Sequence, residues 1–149
     1  MNAFGVKGRH NYKDAALIYV GSISIASAFV LPLKIITKEE RPDFSTNNSF
    51  PSGHTAFAFA SAEFLKQEYK DKPLIGYAGY AVATATGILR MYNNRHWFGD
   101  VLAGAGFGIA SAKLSFFLYD KVFVKNGWNF TLSPVYNNKT AGFAYVYNF

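Results

Sequence analysis

Cysteine is absent from this sequence, which excludes disulfides, thiolate metal sites and cysteine nucleophiles. Charge is sparse: Asp, Glu, Lys and Arg make up 16% of the residues, where soluble domains carry about 25%. The first fourteen residues, MNAFGVKGRHNYKD, are polar and show none of the apolar middle and small-residue cleavage site of a secretory leader. The run Gly104-Ala105-Gly106-Phe107-Gly108 lacks both the GxGxxG spacing and a preceding strand. Close helix packing, not nucleotide binding, is therefore its expected role.

What is present is apolar. Half of the residues are hydrophobic and 18% are aromatic, a balance that suits a membrane protein or a tightly packed helical one. A length of 149 residues makes one domain, 1–149, with one sizeable core. Fifteen basic residues outweigh nine acidic ones, and the charge of +6 favours an anionic partner: a phosphorylated molecule, an anionic membrane surface or nucleic acid. The basic residues cluster around histidines and form no known nucleic-acid-binding module, which argues against nucleic acid.

The pattern predicts an all-α fold, four helices in an antiparallel bundle over about residues 15–124, followed by a short C-terminal β-hairpin. Residues 15–33 hold nineteen positions without a charge, enough for a tilted membrane helix or a buried one, and Pro32 is expected to kink or end it. The turn-rich linker KEERPDFSTNNSF follows. A second helix is expected from Ser52 to Tyr69, a third from Pro73 to Leu89, and a fourth from His96 or Trp97 to Val124, capped by the asparagines of MYNNR. The tail, about residues 128–149, is β-rich around Asn137-Asn138-Lys139, with Phe143, Tyr145, Tyr147 and Phe149 alternating. Such alternation also marks the last strand of outer-membrane barrels, but one hairpin closes no barrel.

Three clusters sit at predicted helix ends: Lys34 with Arg41-Pro42, then Pro51-Ser52-Gly53-His54, then Arg90 with His96 and Asp100. An up-and-down bundle brings the 34–53 linker and the 90–96 loop to the same end, so the clusters can meet. Lys34, Arg41 and Arg90 are permanent cations, and an arginine fork can hold two oxygens of one phosphate; taken alone they read more readily as solvated surface charges. Ser52 and Gly53 open a helix whose unpaired N–H groups attract an anion. His96 and Asp100, four apart, share a helix face. The carboxylate can take the proton of one ring nitrogen and leave the other to attack, although a purely structural pair has the same spacing. Protonated His54 can supply a proton to a departing alkoxide, or be a helix-end histidine without chemical duty. Taken together, these are the parts that phosphoryl transfer through a histidine requires.

In order along the chain the clusters read Lys34-IITKEE-Arg41-Pro42, Pro51-Ser52-Gly53-His54 and Arg90-MYNNR-His96-WFG-Asp100. In this the chain resembles the type-2 phosphatidic acid phosphatase superfamily, which also contains the bacterial nonspecific acid phosphatases and the vanadium haloperoxidases. The one departure is Leu89, where the family usually has serine before the arginine. The resemblance covers about residues 15–120 and implies a single phosphatase domain. It also implies that His96 becomes a phosphohistidine, that Asp100 orients it and that His54 protonates the leaving group. Lys34, Arg41, Ser52, Gly53 and Arg90 would hold the phosphate, with neither metal nor cofactor. Family members usually place further helices before the lysine motif, so the chain is expected to be a family core lacking N-terminal helices or a short member.

The function so implied is metal-independent hydrolysis of a phosphomonoester or pyrophosphate. A greasy anion, such as a lipid phosphate or isoprenoid pyrophosphate, suits an apolar bundle beside a cationic pocket. Two alternatives are a vanadate-dependent haloperoxidase, with vanadate at His96, and a non-catalytic membrane protein that keeps the fold. Lys66, Lys70 and Lys72 fall on the loop opposite the clusters, as the positive-inside rule prefers, so the expected setting is the bacterial membrane with the site facing the periplasm. Glu63, Lys66 and Lys113 inside the helices argue against spanning. Homo-oligomerisation is left open.

Overall fold

Asn11 starts the first helix by accepting the Asp14 N–H on its side chain at 2.9 Å, and α1 (Tyr12–Thr37) then continues past Pro32. The end expected at Pro32 is therefore not observed. A proline removes one helical hydrogen bond, and the turn beyond it is held from outside: Lys34 Nζ donates to the carbonyls of Asn48 at 2.7 Å and Ser49 at 3.3 Å. Lys34 thus belongs to the last turn of α1, not to the linker, and the helix closes on Lys38 in the left-handed region.

In this computed structural model, residues 7–124, 129–137 and 140–148 are described, with side chains over 7–124. The chain divides into two units, Met1–Phe116 and Phe117–Phe149. After α1 come α2 (Gly53–Glu68), α3 (Pro73–Tyr92, with Pro73 in its first turn) and α4 (Phe98–Tyr119).

The bundle is small inside and large outside. α1 buries Ile18, Ser22, Ala26 and Val30, about one per turn; also buried are Ala56 and Ala60 of α2, Ala83 of α3 and Ala112 of α4. Val20, Leu31, Val82, Ile88 and Leu102 are each more than half exposed. With so little side chain between them the backbones touch. A Cβ on Gly104 would stand 2.5 Å from the Ser52 carbonyl oxygen, and one on Gly108 would collide with the Ala56 carbonyl oxygen. Gly106 meets nothing within 4 Å, so the glycine run works through Gly104 and Gly108, four residues apart on the face toward α2. Ser115 Oγ donates to the Ile18 carbonyl at 2.8 Å and ties α4 to α1. Both α1 and the helical stretch Phe98–Val124 are long and apolar enough to cross a membrane.

Buried carboxylates away from the helix ends named above are paired. Glu63 accepts from the Tyr80 hydroxyl and from Gln67 Nε2 at 3.0 Å. Glu68 accepts the His10 N–H at 2.8 Å and clips the segment before α1 to the end of α2.

In the second unit, α4 ends in a π-helical stretch, Asp120–Val124, where the Tyr119 and Phe123 rings stack at 5.2 Å. The backbones of β1 (Asn129–Asn137) and β2 (Thr140–Asn148) pair antiparallel, from Asn129 opposite Asn148 to Asn137 opposite Thr140. The turn expected at Asn138 and Lys139 lies outside the described residues, as does Phe149.

Candidate active site

Two helix N-termini meet at the site. The Ser52 N–H donates to the Asp100 carbonyl at 3.0 Å, which docks the start of α2 on the first turn of α4. Ser52 is the N-cap of α2, as expected, but its fully buried hydroxyl does not cap; it pairs with Thr55 Oγ1 at 2.9 Å. The first amides of α2, beginning at Gly53, are therefore left without a side-chain acceptor.

His96 and Asp100 were expected on one helix face. Instead α4 begins at Phe98, and His96 lies in the loop before it. Asp100 accepts the Trp97 N–H at 2.9 Å, the reciprocal half of a capping box. Nor do the asparagines cap α4: Asn93 is the C-cap of α3 and Asn94 takes a left-handed φ of 52°, which reverses the chain.

Backbone contacts hold the linker against this loop. Asp43 N–H donates to the Asn94 carbonyl at 3.1 Å, Arg95 Nη1 meets Asp43 Oδ2 at 2.9 Å, and Trp97 Nε1 donates to the Glu40 carbonyl at 2.9 Å. Arg95 and Trp97 carry no motif signal that would have singled them out. Leu89, the departure from the family pattern, is 57% exposed.

Lys34 and Arg90 act electrostatically on both His54 and His96, Arg41 acts on Lys34 and His54, and Asp100 acts on Lys34 and His96; the Lys34 stem passes over Gly53, whose added Cβ would lie 3.8 Å from Lys34 Cε. The structure therefore gathers all eight residues singled out from the sequence at one end of the bundle, Ser52 included. His96 is buried, with Nδ1 3.4 Å from Asp100 Oδ2. The hydroxyl of Ser49, also fully buried, donates to the same carboxylate oxygen and stands 3.5 Å from His96 Nδ1. Sequence reasoning missed Ser49, since a lone serine before a proline carries no spacing signal.

Burial first, then the Lys34 charge, pushes the His96 ring down to about 4 against the opposing pull of Asp100. The ring is thus neutral at pH 7, with Nε2 turned away from Asp100. His54 is more exposed, and partial burial followed by Arg90, Lys34 and Arg41 lowers it below its ordinary value. Burial and the nearby Asp100 raise the Glu39 carboxyl. Arg41 Nε and Arg90 Nε are buried without a hydrogen-bond partner. Among the described residues no group of three or more His, Asp or Glu side chains gathers. A cationic donor set around a neutral imidazole fits an anion.

The model of the PAP2 superfamily matches residues 43–123. The chain is 40% identical over 136 residues to a lipid A 1-phosphatase of Porphyromonas gingivalis, covering 89% of this chain and 31% of that protein. It is 25% identical over 146 residues to a PA-phosphatase related-family protein of Dictyostelium discoideum, covering 80% of this chain and 54% of the other. It thus spans about a third and about half of the lengths of these two relatives. The crystal structure of Aquifex aeolicus LpxE superposes with a TM-score of 0.65 at 28% identity, over 70% of this chain and 68% of that one. The match to the LpxE structure supports the helical fold and lends no support to the C-terminal hairpin.

Proposed function

The chain belongs to the PAP2 superfamily, and on that premise we propose that it is a lipid phosphatase that hydrolyses a phosphomonoester through a phosphohistidine at His96. The observation that carries this reading is the pair of buried, unpartnered guanidinium nitrogens, Arg41 Nε and Arg90 Nε, beside a buried neutral imidazole. Leaving such donors unsatisfied is unfavourable, and phosphate oxygens would satisfy both.

In the first step His96 Nε2 gives its lone pair to phosphorus. An N–P bond forms as the P–O bond to the leaving group breaks, and protonated His54 donates its proton to the departing oxygen. The ring becomes a cation with Nδ1–H facing Asp100. In the second step water attacks phosphorus, neutral His54 takes its proton, and the N–P bond returns its electrons to His96 as inorganic phosphate leaves. Lys34, Arg41, Arg90 and the Gly53 amide meet the charge on the equatorial oxygens in both steps. Fixed cations thereby supply the stabilisation that a metal would otherwise give.

The substrate proposed is a phosphate on a lipid, with a lipid A 1-phosphate the first to test, because the 40% identical relative is named for that activity and the bundle exterior is apolar. The two apolar helices support membrane association. Lys66, Lys70 and Lys72 at the far end favour a periplasm-facing site by the positive-inside rule.

The test is phosphate release from lipid A, phosphatidic acid, an isoprenoid pyrophosphate and an aryl phosphate, in chelator, by wild type and His96→Ala. Chelator-resistant release that falls by at least about 10³-fold in the variant is expected. Turnover that survives the substitution would remove the phosphohistidine.

A further inference from the structure

Ser49 lies two residues ahead of Pro51 and has no part in the steps above. Its side chain is fully buried, and its backbone is fixed from both sides: its N–H donates to the Glu39 carbonyl at 2.8 Å and its carbonyl accepts from Lys34 Nζ at 3.3 Å. The hydroxyl donates to Asp100 Oδ2, an oxygen that also accepts the Trp97 N–H at 2.9 Å and stands 3.4 Å from His96 Nδ1. A hydroxyl that has given its single proton to a carboxylate has only lone pairs left to offer. Those lie 3.5 Å from His96 Nδ1. The ring N–H therefore has two acceptors side by side, each at a distance that shortens readily as the ring gains charge.

We propose that Ser49 is a positioning residue for His96, completing with Asp100 a two-acceptor seat for Nδ1–H that fixes the tautomer and turns Nε2 toward phosphorus. The inference rests on the phosphohistidine reading. As the N–P bond forms, the ring becomes cationic, and both acceptors bind Nδ1–H more strongly in the transition state than in the resting ring. Before substrate arrives the same hydroxyl acts in the opposite sense. By donating to Asp100 it spreads the carboxylate charge over three donors, so that less of it favours premature protonation of His96. One hydroxyl thus serves a neutral ring at rest and a cationic ring in the reaction.

Ser49→Ala removes one oxygen and little volume, and Ser49→Cys keeps the volume with a weaker donor. Loss of a hydrogen bond to a charged group predicts a kcat about 10- to 100-fold lower in Ser49→Ala, KM within about twofold, and an intermediate kcat in Ser49→Cys. The second readout needs no turnover: ¹⁵N NMR of the His96 ring in the folded proteins, where Ser49→Ala is expected to titrate about one pH unit higher than wild type, because in the resting ring the short hydroxyl bond to Asp100 outweighs the 3.5 Å contact to Nδ1, and to lose its single tautomer. An unchanged kcat, or a lower kcat with the His96 titration and tautomer unmoved, would overturn the proposal. Should wild type itself release no phosphate, the phosphohistidine reading fails, while the ring titration still decides whether Ser49 sets the state of His96. If Ser49→Ala does not fold, the same two readouts on Ser49→Cys decide.

Discussion

Taking the protein from pH 7 to pH 4 is expected to remove stability through His96 in particular. The folded ring titrates at about 4 against an ordinary value of 6.5, mainly because burial disfavours the imidazolium and Lys34 repels it. As pH falls through 6.5 the unfolded chain takes up the proton first. The contribution is therefore fully present above 6.5 and is lost as pH falls toward 4. A gap of about two and a half pH units corresponds to at most about 3 kcal/mol, at 1.36 kcal/mol per unit. The assay is melting in mild detergent across pH 4–7, comparing wild type with His96→Gln, so that carboxylates common to both cancel. Wild type is expected to lose up to about 3 kcal/mol more than the variant over that range. Inorganic phosphate in the buffer is expected to soften the loss, because a bound anion screens the cations that hold the ring neutral. Parallel stability curves would refute a depressed His96, and with it the resting neutral nucleophile.

Arg41→Gln and Arg90→Gln are each expected to weaken inhibition by inorganic phosphate or vanadate by about 10- to 100-fold, since each removes a charge-assisted contact to the anion. Arg90→Gln is also expected to move the alkaline limb of kcat/KM to higher pH, because Arg90 is one of the charges that lower His54; a limb that stays put or falls would separate the two residues. Gly104→Ala is expected to destabilise by about 1–3 kcal/mol and to reduce turnover, since its Cβ would press on the Ser52 carbonyl oxygen at 2.5 Å and part α4 from α2 at the active-site end. Gly106→Ala meets open space and is expected to be neutral or stabilising by up to about 1 kcal/mol; equal melting shifts for the two would remove the close-packing account.

Much of the site was legible because spacing along the chain becomes geometry wherever the backbone is regular. Nineteen uncharged positions gave α1, Pro-Ser-Gly gave the start of α2, and the alternation of helices and loops put Lys34, Arg41, Arg90, His96 and Asp100 at one end. Reading failed where a residue's role depends on what lies across from it. Pro32 sits inside α1, and the turn beyond it carries Lys34, whose ammonium bonds the Asn48 and Ser49 carbonyls of the linker. Asp100 caps its own helix as well as facing His96, and the asparagines assigned to α4 close α3.

By itself the sequence determined which chemical groups are available and that they share one end of a helical bundle, since helix periodicity and loop order are local properties of the chain. Only the tertiary structure decided their states. The His96 ring is neutral because other segments bury it beside Lys34, Arg41 Nε and Arg90 Nε are buried without a hydrogen-bond partner, and Ser49 meets Asp100 from 51 residues away. Burial, field and contact across such separations are set by how helices pack, and no local pattern encodes them.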